Sequence, residues 1–218
     1  MTLIYIGLFL AAVGIGLYFG AKALKNVQPT DDEVDQDLKE LKTKVAPYRG
    51  GFIPWTSEIS TNEINQILTK DNARQGDGVF LSSNNDPIFA YAYKNYIGPG
   101  KNAVIYIINA EHEYIFRITN KGTEITLDGE KKGLIRENGK LYDLKNDEIA
   151  SVKRNTMSNI NKIYIGEEEV AKIALPDSLS AQAQALEVTK LDIQPLEQSI
   201  VETFTVYELV NALTEREG

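Results

Sequence analysis

Residues 113–142 read EYIFRITNKGTEITLDGEKKGLIRENGKLY. Apolar and polar residues alternate through YIFRI, EITL, GLIRE and KLY, and a turn group separates each pair: Asn120-Lys121-Gly122, Asp128-Gly129 and Asn138-Gly139. A two-residue period places alternate side chains on opposite faces, which predicts short strands with one face in a core. Asn-Gly is the strongest short hairpin signal, so GLIRE and KLYDL are expected to be joined by a two-residue turn. Adjacent strands joined this way run antiparallel.

The same cadence continues in both directions. VFLSS, PIFAYAY and AVIYII precede the stretch, and EIASVK, KIYI and EVAKIAL follow it, with Asn84-Asn85-Asp86, Gly98-Pro99-Gly100, Asn146-Asp147 and Gly166 between strands. Such spacing predicts an antiparallel sheet, barrel or sandwich. Helices are expected around it. TDDEVDQDLKELKTKV carries a Thr30/Glu33 capping box, acids in its first turn and lysines in its last. ISTNEINQIL has a second box, Ser60 with Glu63, and predicts about three helical turns ending before a Gly76–Gly78 loop. The segment from Pro195 places Leu196, Ile200, Phe204, Tyr207, Val210 and Leu213 at three- and four-residue steps, a helix over 195–216. Thr203, Thr205 and Val206 oppose it locally through their branched side chains. SLSAQAQA reads as a flexible or weakly helical bridge, and LEVTKLDI as one more strand.

The N-terminus has a different character. MTLIYIGLFLAAVGIGLYFGAKALK holds no charged side chain from Thr2 to Ala21, enough helix to cross about 30 Å of hydrocarbon. A cleaved signal peptide would open with basic residues and have a shorter core, although Ala21-Lys22-Ala23 has the form of a cleavage site. The expectation is a retained single-pass membrane anchor. Lys22, Lys25, Lys39, Lys42 and Lys44 on its C-terminal side place the N-terminus outside and the body in the cytoplasm. Ala12, Gly16 and Gly20 recur every four residues, a spacing that lets two membrane helices pack and form a homo-oligomer, and that also arises from ordinary membrane-helix composition. The domain plan is thus an anchor over 1–25, a juxtamembrane amphipathic helix and linker over 26–47, and a β-rich domain over 48–218. The fold class is a single transmembrane helix plus a mainly β (α+β) domain, an antiparallel sheet or barrel with a short N-terminal and a C-terminal helix.

Composition narrows the chemistry. There is no cysteine and a single histidine, which removes disulfides, thiolate catalysis and most multi-ligand zinc sites. A net charge of −8 argues against nucleic acid as a partner. The charge is uneven: residues 121–162 hold nine Lys/Arg against seven Asp/Glu, and 167–218 hold three against eleven. IGPGKN lacks the first glycine and the terminal Ser/Thr of a phosphate-binding loop. Glu111-His112-Glu113 is a carboxylate–imidazole group at a hairpin tip, read as a solvated turn in preference to a metal site. Catalytic residues, metal ligands and cofactors are accordingly expected to be absent.

Binding surfaces remain. Val34, Leu38 and Leu41 form an apolar seam with two readings, a short coiled coil or a face docked on the chain's own body. Phe89, Tyr91 and Tyr93 share one strand face backed by Ala90 and Ala92, either an exposed aromatic row or a core face. Residues 133–173 contain Ile149-Ala150-Ser151-Val152-Lys153, a Tyr-containing strand and the echo Val170-Ala171-Lys172-Ile173. Over about 120–175 these short strand pairs resemble the tubby-like superfamily, which includes LURP-one-related proteins and phospholipid scramblases. The resemblance implies a β-barrel closed around a hydrophobic C-terminal helix, and lipid association with Lys131, Lys132, Arg136, Lys153 and Arg154 facing the bilayer. The function expected first is a non-enzymatic, membrane-anchored accessory protein whose β-rich domain binds a protein partner, with the tubby-like lipid module as the alternative.

Overall fold

The structure is a computed structural model that describes residues 13–18, 29–54, 65–72, 74–82, 84–96, 101–155, 157–175 and 186–215. Helix α1 (Asp31–Val45) begins as its end signals dictate. The Glu33 amide donates to Thr30 Oγ1 at 3.3 Å, and the Thr30 amide donates to Glu33 Oε2 at 2.9 Å. Such a cap contributes about 1 kcal/mol. A 3-10 turn, Ala46–Tyr48, follows.

Among the described residues twelve strands come next: β1 (Asn65–Asn72), β2 (Gln75–Leu81), β3 (Pro87–Asn95), β4 (Ala103–Asn109), β5 (Glu113–Thr119) and β6 (Gly122–Leu127). They continue as β7 (Glu130–Ile135), β8 (Lys140–Tyr142), β9 (Glu148–Lys153), β10 (Ile160–Ile165), β11 (Glu168–Ala174) and β12 (Leu186–Val188), before helix α2 (Pro195–Glu215). Every strand pairs antiparallel with the next, so the spatial order is the chain order. The β6–β7 turn uses Asp128 (φ 53°) and Gly129 (φ 82°), both left-handed, as a tight hairpin requires. Between β7 and β8 the loop is longer than two residues: Arg136 N–H donates to the Lys140 carbonyl, and Gly139 N–H to that of Arg136. Gly139 takes φ 79°, and a Cβ there would stand 2.3 Å from the Val152 carbonyl oxygen. Only glycine fits.

The sheet is curled around α2. That helix touches β3, β10 and β11. In a flat sheet β3 and β11 would lie about 38 Å apart, eight spacings of about 4.8 Å, and a helix is only about 10–12 Å wide. Residues 203–211 of α2 are buried without interruption, so no side of that stretch faces solvent. One core joins Phe204, Tyr207, Leu209 and Val210 of the helix to inward residues such as Phe89, Tyr91, Phe116 and Ile163. Thr203 and Thr205 are accommodated by donating their hydroxyls to the Ser199 and Val201 carbonyls, both at 2.7 Å. A second core lies on the outer face of β2–β4, where α1 lays Val34, Leu41 and Val45 across Ala90, Ala92, Val104 and Tyr106. Two polar clamps pin α1. Asp37 accepts from Lys94 Nζ and, at 2.8 Å, from the Tyr96 hydroxyl, while Glu113 accepts from Lys42 at 3.1 Å and from Arg49.

Several expectations are corrected here. No described helix is long and apolar enough to cross a membrane. Of the expected span, only residues 13–18 are described; they are helical and include Gly16, while Ala12 and Gly20 lie outside the described residues. Helix α2 has the length but carries Glu197, Glu202 and Glu208 and packs inside a sheet. The single-pass anchor and the N-out, cytoplasmic-domain placement therefore do not stand.

The expected helix from Ser60 is also replaced. Residues 65–72 form β1, and Gly76 to Gly78 lie within β2 rather than in a loop. Residues 65–70 pair in continuous register with residues 81–76 of β2, whereas a three-turn helix without tertiary support is marginal in water. The Ser60/Glu63 box and the bridge at 179–185 lie outside the described residues. The aromatic row Phe89, Tyr91 and Tyr93 is core rather than an exposed binding surface, because it shares one core with Phe204 and Tyr207 of α2, while Ala90 and Ala92 on the opposite face let α1 approach the sheet.

Candidate binding face and end cavity

Strands β9, β10 and β11 set the chemistry of one outer face. Val152, Ile163, Ala171 and Ile173 point into the core, so Lys153, Lys162 and Lys172 point outward. The register pairs Lys162 with Lys153 on one side and with Lys172 on the other. Three ammonium groups thus stand side by side across three strands, an arrangement that like-charge repulsion disfavours. Each is offset separately. Lys153 Nζ sits 4.1 Å from the Tyr164 ring centroid, Lys162 pairs with Glu169 at 2.7 Å, and Lys172 pairs with Glu187 at 3.0 Å. The hydrogen bond and charge of Glu169 push the Lys162 pKa up, and that bond holds Glu169 down. Beside the row the β9–β10 turn raises Met157, 98% exposed, with Ile160 at its base. These side chains line a groove of about 640 Å³.

Arg154 turns the other way. Its Nη2 donates to Glu208 Oε1 at 2.7 Å and its Nε to Oε2 at 3.0 Å, while Asn161 Nδ2 donates to Oε2 at 2.9 Å. Glu208 is 3% exposed, in the middle of α2. This pair closes the floor of a cavity of about 830 Å³ at the C-terminal end of the helix. Thr123, hydroxyl to hydroxyl with Tyr207 at 3.0 Å, and Asn211 share that floor. Lys101, Arg136 and Glu137 stand among its lining. Comparison with known proteins returns no matching family model, no similar curated protein and no similar solved structure.

The five cations expected to face a bilayer do not share one face. Lys131 and Lys132 flank the β6–β7 turn, against Glu124 (3.6 Å) and Glu130 (2.6 Å). Arg136, Lys153 and Arg154 lie at the opposite ends of their strands, beside the cavity and the lysine row. Arg136 stacks 4.1 Å from the Tyr142 centroid and donates to Asn146 at 2.6 Å. Val34, Leu38 and Leu41 are turned onto the sheet. At the β4–β5 tip, His112 Nδ1 lies 2.8 Å from Asp128 Oδ2. Burial would raise Glu113, but hydrogen bonds from Lys42 and Arg49 hold its carboxyl below the ordinary range. Among the described residues no three His, Asp or Glu are placed to hold a metal ion.

Sequence reasoning missed Lys162 and Lys172 because their adjacency depends on register across three strands. It also assigned no partner to Glu208, which Arg154 and Asn161 meet. One carboxylate amid an apolar run is a signal that a buried cation or amide stands opposite it.

Proposed function

We propose that the chain is a non-enzymatic binding protein that holds an acidic segment of a partner protein against the β9–β11 face. The observation that carries this reading is the in-register row Lys153–Lys162–Lys172, kept in an acidic chain despite its internal repulsion. A carboxylate-rich segment supplies an ion partner to Lys153 and competes with Glu169 and Glu187 for the other two lysines, and a single apolar side chain of the partner meets Met157 and Ile160. The test uses a short fluorescent Asp/Glu-rich peptide with a central leucine. Anisotropy should report binding that weakens with salt and disappears in the K153E/K162E/K172E variant. Equal binding by the variant ends the proposal.

A second reading draws on the wrapped helix. The tubby-like resemblance implies a β-barrel closed around a C-terminal helix, and the curling of the described strands around the buried α2 supports that reading. Kinship of that kind supports contact between the same lysine row and anionic lipid headgroups. Vesicles containing phosphatidylserine, run in the same assay, separate the two: binding to vesicles but not to peptide favours the second.

A further inference from the structure

We propose that Met157 is an oxidation site through which a hydroperoxide weakens the hold of the β9–β11 face on its partner, an inference that rests on the acidic-partner reading for its effect but not for its chemistry. The chain has no cysteine and two methionines, of which the other is Met1. Sulfur is the side-chain atom that peroxides oxidise most readily, so beyond residue 1 that chemistry has a single target. Met157 is 98% exposed, which opens its thioether to an oxidant in solvent. Its position is nonetheless held. The Met157 amide donates to Asn155 Oδ1 at 2.9 Å, and the Asn155 amide donates at 3.3 Å to Oδ1 of Asn161, which is buried. In the same turn Asn159 takes φ 51°, and its carbonyl accepts from the Leu175 amide at 2.9 Å. The turn is thus tied to β10 and to the end of β11, and it presents Met157 to the groove that Lys153, Lys162, Lys172 and Ile160 also line.

In the oxidation a sulfur lone pair attacks one oxygen of the hydroperoxide. The O–O bond breaks, an S–O bond forms, and the second oxygen leaves as water or an alcohol. Sulfur gives up two electrons and the peroxide takes them. A thioether is a weak acceptor and an apolar contact, whereas the sulfoxide is polar. The partner's apolar side chain then meets a polar group, and the ammonium groups of the groove gain an acceptor that competes with the partner's carboxylates. Both changes weaken the complex. The fold does not register them, because Met157 belongs to neither core. A sulfoxide reductase with a dithiol reverses the step: the dithiol becomes a disulfide and the oxygen leaves as water.

The experiment treats the full chain with hydrogen peroxide. Peptide mass spectrometry should show one oxygen added at Met157, at about the rate of a solvated methionine peptide, with the Tm unchanged. Anisotropy with the leucine-centred acidic peptide should then report about fivefold weaker binding, the loss expected when roughly half of a methionine side chain's burial is forfeited. Reductase treatment should restore the affinity, and a peptide with serine in place of the leucine should lose less on oxidation. Met157→Leu, compared with itself before and after peroxide, should show no change even though Met1 is still oxidised. Slow oxidation of Met157, a fall in Tm on oxidation, or an equal response of Met157→Leu overturns the proposal. Unchanged affinity after oxidation overturns the regulatory role alone and leaves the acidic-partner reading standing. Absence of peptide binding by the untreated chain overturns that reading and the regulatory role with it, and the oxidation site itself is decided by the mass measurement in either case.

Discussion

Replacing Arg154 by alanine leaves Glu208 in the core with Asn161 as its remaining side-chain donor among the hydrogen bonds described. Losing one partner of a buried ion pair costs about 3–5 kcal/mol, because the other charge stays without compensation. The Arg154 side chain is itself 37% exposed against 3% for Glu208, so water reaches one half of the pair and the lower part of that range applies. About 3 kcal/mol corresponds to a fall of about 6–12 °C in Tm for a domain of this size. The assay is urea unfolding of Arg154→Ala, Glu208→Leu and the double variant as a cycle. Arg154→Ala should be the most damaging, and the double variant should recover most of the loss, since an apolar pair in place of a buried ion pair is close to neutral. A cost below about 1 kcal/mol for Arg154→Ala, with a coupling energy near zero, refutes the assignment of this pair as the bolt between α2 and strands β9 and β10.

Leu41→Ala should cost about 2–5 kcal/mol by denaturant unfolding, because Leu41 is 1% exposed between α1 and the sheet; Leu38→Ala, at the partly buried rim, should cost less. Glu202 supplies a pH signature. Burial raises its carboxyl pKa in the folded chain above the ordinary value, which the hydrogen bond from Gln198 only partly offsets. A raised acid pKa means the folded state binds the proton more tightly than the unfolded one, so its contribution is full below the unfolded pKa and is lost as pH rises through the folded pKa. Stability of the native chain relative to Glu202→Gln should therefore fall between acidic and neutral pH, and parallel pH profiles would contradict the shift.

What the sequence revealed depended on how local the determinant was. Thr30 and Glu33 decide the start of α1 within four residues, and the strands from PIFAYAY to EVAKIAL announce themselves by alternation and turn residues. Pro195 and the 3,4 spacing marked α2, with only its threonine backbonds hidden. The errors came where a remote partner decides. Residues 65–68 carry part of a helical pattern, yet pairing with β2 makes them strand. Phe89, Tyr91 and Tyr93 are alike as surface or core until the position of α2 is known. The lysine row exists only through the register of β9, β10 and β11. Arg154 and Glu208, 54 positions apart, meet only because the sheet closes around the helix.

The position of α2 at the end of the chain order has a consequence for biosynthesis. Strands that pair with their immediate neighbours can zip as they emerge from the ribosome, since each pairing spans a short loop. The interior they enclose has no filler until the last helix is released. Until then Phe89, Tyr91, Phe116 and Ile163 line an open trough, the kind of surface that chaperones recognise and that aggregates at high concentration. Final consolidation thus waits until α2, which follows every described strand in the chain, has left the exit tunnel.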